Sequence, residues 1–325
     1  MNFIAKYIKQ TACILFVIAV SVICFFRYTS DIPKEATVFA FDTYMKFEIY
    51  GRNAKSAVKA GEKLIYDTEK ELSVYKGESI VYKYNHAKPG EKIKCSENVQ
   101  KLIEKSLYIN KLTDGAFDIT IYPLCELWDV KNASVPPSGN DIKNALEKVG
   151  SGEIEIKDGY LIKHENTMLD FGGIAKGYLS DELRALMSDY GIKKGLINLG
   201  GNVVTIGKKG KNKPWNIGIA DPNNPNEAIT SISASDTNVI TSGAYQRYFE
   251  YNGKIYHHII SPYTGYPSES GLSSVTVSGK DGALCDGMST AAFILGREKG
   301  EKLIKDLNLS AVFVTTDGEI VRVNQ

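Results

Sequence analysis

Apolar positions along this chain switch between a two-residue and a helical period. Residues 37–50 alternate through Met45, Phe47 and Ile49, the pattern of a half-buried strand. Ala57, Gly61, Leu64, Ile65, Thr68 and Leu72 then fall on one helical face, followed by a polar stretch that leads towards Asn85. Ser96 is placed to cap a second helix, on Val99, Leu102, Ile103, Leu107 and Asn110, which Asp114-Gly115 ends. Residues 134–140 read as an exposed loop. Ile142, Ala145, Leu146 and Val149 then mark a short helix stopped at Gly150, and Asp158-Gly159 marks a hairpin. Next, an apolar strand is expected to run through Gly172-Gly173 into a helix carrying Ile174, Tyr178, Leu183, Met187 and Tyr190, stopped by Gly191.

Beyond that helix the pattern turns β-rich. Asn198-Leu199-Gly200-Gly201-Asn202 is a turn between apolar runs, and residues 215–220 form a strand closed by Asp221-Pro222. Asn252-Gly253 signals a hairpin between residues 245–251 and 254–260, and Asp317-Gly318 signals another. Residues 286–296 read as a buried helix that continues into the more polar 297–307. Hairpins mixed with helices predict an α+β fold, with mixed and mainly antiparallel sheets under packed helices.

The N-terminus breaks this pattern. Residues 11–26 are almost wholly apolar, preceded by Lys6 and Lys9 and followed by Arg27. About 16 residues suit a signal segment or a tilted anchor. No small-residue cleavage site follows, and Ile23 precedes Cys24, so an uncleaved anchor is favoured over lipoprotein processing at Cys24. The basic flank places the catalytic part outside the cytoplasm, on the cell membrane. Residues 1–29 are thus expected to be the anchor, 30–35 a linker and 36–325 the folded domain. With 39 basic against 38 acidic residues, nothing suggests nucleic acid. Cys95, Cys125 and Cys285 have no metal or disulfide spacing and read as buried thiols.

Four stretches can carry chemistry, and each has a plainer reading. The start of the helix after Gly172-Gly173 offers N–H groups, a positive dipole end and Lys176, which suit a phosphate. It is equally plain architecture. Asp286 and Thr290 share a helical face one turn apart and suit a hard cation such as Mg2+; the plain reading is a helix cap and a core threonine. His257 and His258 point to opposite strand faces, so they form no chelating pair: one can serve as an acid or base or contact a phosphate while the other lies at the surface, and the plain reading is a structural role for both. Asp118 can contact a polar ligand edge or merely cap a turn, and Tyr75 can stack on a flat ring. Ser242-Gly243 reads as sheet.

Together these blocks resemble the ApbE family, the FAD:protein FMN transferases. The resemblance runs from Phe41-Asp42-Thr43 to Val323. It rests on Leu72-Ser73 with Tyr75, residues 115–120, Asp170 to Tyr178, residues 198–202, His258 with Pro262 and Thr264-Gly265, and Asp286 with Ser289-Thr290-Ala291. It implies FAD as substrate, Mg2+ as cofactor, and transfer of FMN to a threonine hydroxyl of a partner protein with release of AMP.

It also implies metal ligation by Asp286, Thr290 and the Ala175 carbonyl. FAD contacts are implied at Phe41, Tyr75, Ala116, Phe117, Asp118, Gly172, Lys176 and Ile260, with His258 assisting proton transfer and Asp286 serving catalysis through the metal. The implied acceptor is a membrane or extracytoplasmic electron-transfer flavoprotein with an Asp-(Gly/Ser)-(Ala/Ser)-Thr motif. The chain departs from the family at Ser261, where Asp is usual, and at Phe41, where Met is usual. The alternatives are an Mg2+-dependent FAD pyrophosphatase giving FMN and AMP, and a non-catalytic flavin-binding lipoprotein.

Overall fold

The computed structural model describes residues 14–16, 18, 20, 32–150 and 154–324. The expected anchor therefore lies outside the described residues except for five exposed helical positions. No helix among the described residues is long and apolar enough to cross a membrane.

In chain order the elements are β1 (Lys34–Ala40), β2 (Thr43–Tyr50), α1 (Ala54–Leu72), α2 (Ile80–His86), β3 (Lys92–Lys94) and α3 (Glu97–Leu112). Then come α4 (Tyr122–Trp128), α5 (Gly139–Leu146), β4 (Glu155–Lys157), β5 (Tyr160–Ile162), α6 (Ala175–Asp189), β6 (Lys194–Asn198) and β7 (Val203–Ile206). The last part holds β8 (Trp215–Asp221), β9 (Asn224–Ala234), β10 (Asn238–Gly243), β11 (Tyr248–Tyr251), β12 (Lys254–His257) and β13 (Leu272–Gly279). It closes with α7 (Gly282–Leu295), α8 (Arg297–Asp306), β14 (Ser310–Thr315) and β15 (Ile320–Val323). The expected α+β class is what the structure shows.

Eight strands form one sheet in the order β1-β2-β6-β7-β10-β13-β14-β15, and each neighbouring pair is antiparallel. Side-chain alternation splits its strands between two apolar layers. Met45, Phe47, Ile49 and Val204 pack under α1 and α6, with Ile65, Leu179, Leu183 and Met187. On the other face Val203, Val312 and Val314 meet the β8–β9 hairpin through Trp215, Ile217 and Ile232. Strands such as β7, buried on both faces, lose the alternation that would reveal them.

Several boundaries differ from those the pattern suggests. Residues 37–50 are a hairpin rather than one strand, because Phe41 and Asp42 both take positive φ and turn the chain in two residues. The polar stretch after Leu72 contains α2, capped by the Ser79 hydroxyl. No strand enters α6 directly: β5 ends at Ile162, and residues 163–174 carry no regular structure. Residues 244–246 form a 3-10 turn instead of opening a strand. Gly296, with φ 78°, separates α7 from α8. Asp286 lies inside α7, and Asp281 is its cap.

The pair α6 and α7 fixes the centre of the molecule. A methyl group on Gly177 would collide with the Gly282 carbonyl oxygen and stand 2.5 Å from Asp286 Cβ. One on Gly282 would collide with Ser180 Oγ. The two helices are also tied at one end, where the Asp181 carboxylate accepts Gly282 N–H at 2.8 Å and Ala283 N–H at 3.0 Å. Gly177→Ala is therefore expected to lower stability by about 1–3 kcal/mol through overpacking, although alanine has the better helix propensity. Urea unfolding of both proteins checks this, and a variant as stable as the parent would refute the close contact.

Candidate active site

The first turn of α6 lies against α7 in antiparallel register. Gly177 N–H donates to Asp286 Oδ2 at 2.7 Å, and a methyl at Gly173 would stand 3.5 Å from Thr290 Oγ1. Ala175 falls midway between these two contacts. The structure thus brings together Asp286, Thr290 and Ala175, which lie on two helices far apart in the chain. The cap residue of α6, Ile174, offers no side-chain bond, and the first turn is held instead by Phe171 O, which accepts from Ile174 and Ala175 N–H, and by Asp286, which accepts from Gly177 N–H. The start of α7 is held by Asp181 and Asp281.

Asp286 is 4% exposed. Burial pushes its carboxyl above the ordinary range, against the pull of Lys176 and of the Gly177 N–H. Asp170, on the loop before α6, is raised by burial too, and Gly172 N–H, Arg247 and Lys176 oppose that shift. Lys176 therefore sits between two acids that lack a full cationic partner. Among the described residues no three His, Cys, Asp or Glu side chains converge. The donor set is one carboxylate with neutral oxygens, which fits a hard cation whose remaining positions go to water or phosphate.

Two neighbours were not legible as site residues. Ser242, at the end of β10, bonds Ser289 Oγ at 2.7 Å and Thr290 Oγ1 at 3.2 Å, so it orients the hydroxyl of Thr290 instead of merely building sheet. Asn202, in the β6–β7 turn, is buried, and its side-chain amide pulls the Asp286 carboxyl downwards. The Asn-Leu-Gly-Gly-Asn run marked a turn, and nothing in it foretold which helix the turn would face.

His257 and His258 do point apart. His257 is buried against the Phe293 ring and Ser268 O. His258 lies half-buried, with Nδ1 3.3 Å from Arg247 O. A carbonyl only accepts, so Nδ1 carries the proton and Nε2 keeps its lone pair. Burial, and then the Arg247 charge, push the His258 pKa down to about 3, which keeps the ring neutral near pH 7.

The remaining candidates surround this centre unevenly. Phe41 is half-buried on its turn, with its N–H donated to Glu69 Oε1 at 2.7 Å. Asp42 beside it pairs with Lys131 at 2.7 Å and Arg247 at 3.8 Å. The Phe117 ring faces Gly173, Ala116 is fully buried, and Tyr75 is 83% exposed yet within reach of the Asp170 charge. Asp118 holds its own turn through Thr120 and also accepts from Asn110, which is the capping role. Gly172 donates to Asp170 Oδ1 at 2.6 Å. Ile260 packs in a separate cluster with Leu124 and Trp128. Ser261 Oγ accepts Tyr263 N–H at 3.3 Å, so serine caps this turn without a carboxylate. Cys95, Cys125 and Cys285 are free thiols.

Residues 41–313 match the family model described as the ApbE family. An FAD:protein FMN transferase of Klebsiella pneumoniae is 36% identical over 265 residues, covering 79% of this chain and 82% of that protein. One from Treponema pallidum is 27% identical over 301 residues, covering 86% and 83%. Among solved structures, the ApbE protein of Thermotoga maritima superposes with a TM-score of 0.83 at 31% identity, covering 90% of this chain and 97% of that one. The apo flavinyl transferase ApbE of Pseudomonas stutzeri gives 0.80 at 28% identity, covering 90% and 94%.

The neutral His258 has a consequence for stability. Its folded pKa lies below the ordinary 6.5, so the unfolded chain binds this proton more tightly. The resulting stabilisation is complete above about pH 6.5 and is lost as pH falls towards about 3. Between pH 7 and pH 4 the melting temperature of the parent is expected to fall further than that of His258→Gln. Equal falls would show that the ring is not held neutral by the fold.

Proposed function

The chain belongs to the ApbE family, and from that premise we propose the reaction its relatives are named for: this protein moves FMN from FAD onto another protein. The finer reading is transfer to a threonine hydroxyl with AMP leaving, at a site where Asp286, Thr290 and the Ala175 carbonyl would hold Mg2+. The observation that carries it is the register of α6 on α7, which sets two oxygen side chains, Asp286 and Thr290, against the first turn of α6.

Bound there, Mg2+ would neutralise charge on the pyrophosphate oxygens of FAD. The start of α6 and Lys176 add positive potential on the same side. The threonine oxygen forms a bond to the FMN phosphorus while the bond from that phosphorus to the AMP oxygen breaks. His258 Nε2 is the free lone pair for the hydroxyl proton, and AMP departs with the bridging oxygen. An arriving pyrophosphate places negative charge beside Arg247 and Lys176 and so moves the His258 pKa upwards, towards working pH.

The acceptor lies in another protein. Asp281-Gly282-Ala283 continues with Leu284 and Asp114-Gly115-Ala116 with Phe117, so this chain lacks the Asp-(Gly/Ser)-(Ala/Ser)-Thr motif. An N-terminal anchor in residues 1–29 would hold the catalytic part on the extracytoplasmic face, within reach of membrane or extracytoplasmic electron-transfer flavoproteins.

Incubation with FAD, Mg2+ and such an acceptor domain is expected to add one FMN to the acceptor by intact mass and to release AMP. Free FMN without adduct would instead show the pyrophosphatase. Asp286→Ala is expected to slow transfer about 10²–10³-fold. Thr290→Val should cost less, because water can replace a neutral oxygen. Transfer by Asp286→Ala at the parental rate, with the same Mg2+ dependence, would rule out this metal site.

A further inference from the structure

The two ends of the large sheet differ in chemistry. Backbone pairing joins Lys34 to Ile49, Ile49 to Gly195 and Gly195 to Ile206 in one row. The chain coming from the N-terminus therefore enters the fold at the row from which residues 207–213 leave it. Those residues read Gly-Lys-Lys-Gly-Lys-Asn-Lys, and Lys208, Lys209, Lys211 and Lys213 are all exposed. Lys193 and Lys194 open β6 beside them, so close that a methyl on Gly207 would collide with the Lys193 carbonyl. Three strand spacings, about 15 Å, separate this group from Lys34.

None of the six lysines belongs to an ion pair among the described residues. Lys194 lies 3.8 Å from the centre of the Tyr50 ring and Lys209 5.9 Å from that of Trp215. Among the acids at this end, Asp236 is engaged by Gly207 N–H at 2.6 Å and Glu48 by the Tyr50 hydroxyl at 2.6 Å. Asp189 and Glu35 also lie towards this end. The whole chain has a net charge of only +1, so the concentration of lysine here is local. The Phe41-Asp42 and Gly200-Gly201 turns close the opposite end of the same strands, about 20 Å away.

We propose that this basic end rests on an anionic lipid surface. Residues 11–26 supply the apolar segment, residues 27–33 join it to β1, and the lysine row is the charge complement of the headgroups beside the point of entry. The inference rests on the anchor reading given above. It adds an orientation: the end of the sheet that carries the Phe41-Asp42 and Gly200-Gly201 turns faces away from the bilayer. Attraction of this kind acts within about 10 Å at 0.1 M salt and weakens as salt rises.

The full chain is reconstituted into vesicles of phosphatidylcholine alone, or with about one third phosphatidylglycerol, and its lysines are acetylated and mapped by mass spectrometry. In the anionic vesicles labelling at residues 208–213 is expected to fall about fivefold, and about 1 M NaCl to restore it. Lys131, paired with Asp42 at the opposite end, should label equally in both lipids. In the variant carrying Lys208→Gln, Lys209→Gln, Lys211→Gln and Lys213→Gln, Lys193 should also label equally in both. A chain that floats with both kinds of vesicle but shows no lipid-dependent labelling overturns this inference alone. A chain that floats with neither overturns the anchor reading and this inference together. Protection by a soluble acidic protein or nucleic acid, without protection by anionic vesicles, overturns it as well.

Discussion

The contact on which the site depends is the one between Gly177 and Gly282. With a bulkier side chain in place of either glycine, the helices would stand further apart and Gly177 N–H would lose its reach to Asp286. Helix axes ordinarily stand 8–10 Å apart, depending on the side chains between them. Two glycines bring the backbones close enough for a main-chain group of one helix to bond a side chain of the other. The Asp181 carboxylate then pins that separation from the α7 end.

That closeness also explains the electrostatics. A buried carboxylate with one N–H donor and a neighbouring lysine is under-compensated, and burial raises its pKa. The fold maintains an acid in a state that a cation would relieve. Placing the same carboxylate on an exposed loop would remove the destabilisation and, with it, much of the attraction for the ion. Burial, and after it the Arg247 charge, lowers the His258 pKa and keeps that ring neutral near pH 7.

Local signals were legible where a side chain acts on its own segment. The Ser96 cap and the turns at Asp158-Gly159, Asn252-Gly253 and Asp317-Gly318 stand where their residues place them. The four-residue spacing of Asp286 and Thr290 also survives on one face of α7. What was hidden depends on tertiary contact. Nothing near Ser242 in the chain announces that β10 ends beside Thr290, and the four residues of β7 are all buried, so both of its faces lack the polar positions that would show a period. Although residues 163–166 are polar, the loop before α6 reads as a strand because Leu169, Phe171 and Ile174 are apolar. They are buried as irregular backbone held by side chains, with Asn85 accepting from Leu169 N–H and donating to Leu169 O.

The turn at Phe41-Asp42 shows what a useful side chain can cost the fold that presents it. Two-residue hairpins of this kind favour Asn-Gly, because both positions need positive φ. Here a bulky aromatic and an aspartate occupy them, at 50° and 60°, a strain of about 1 kcal/mol or more each. Directed selection for heat resistance would tend to recruit Asn-Gly at this turn. The resulting protein would be sturdier, but it would have lost the aromatic ring and the carboxylate that bridges Lys131 and Arg247. At this turn, durability and the side chains on display are opposed objectives for anyone who re-engineers the chain.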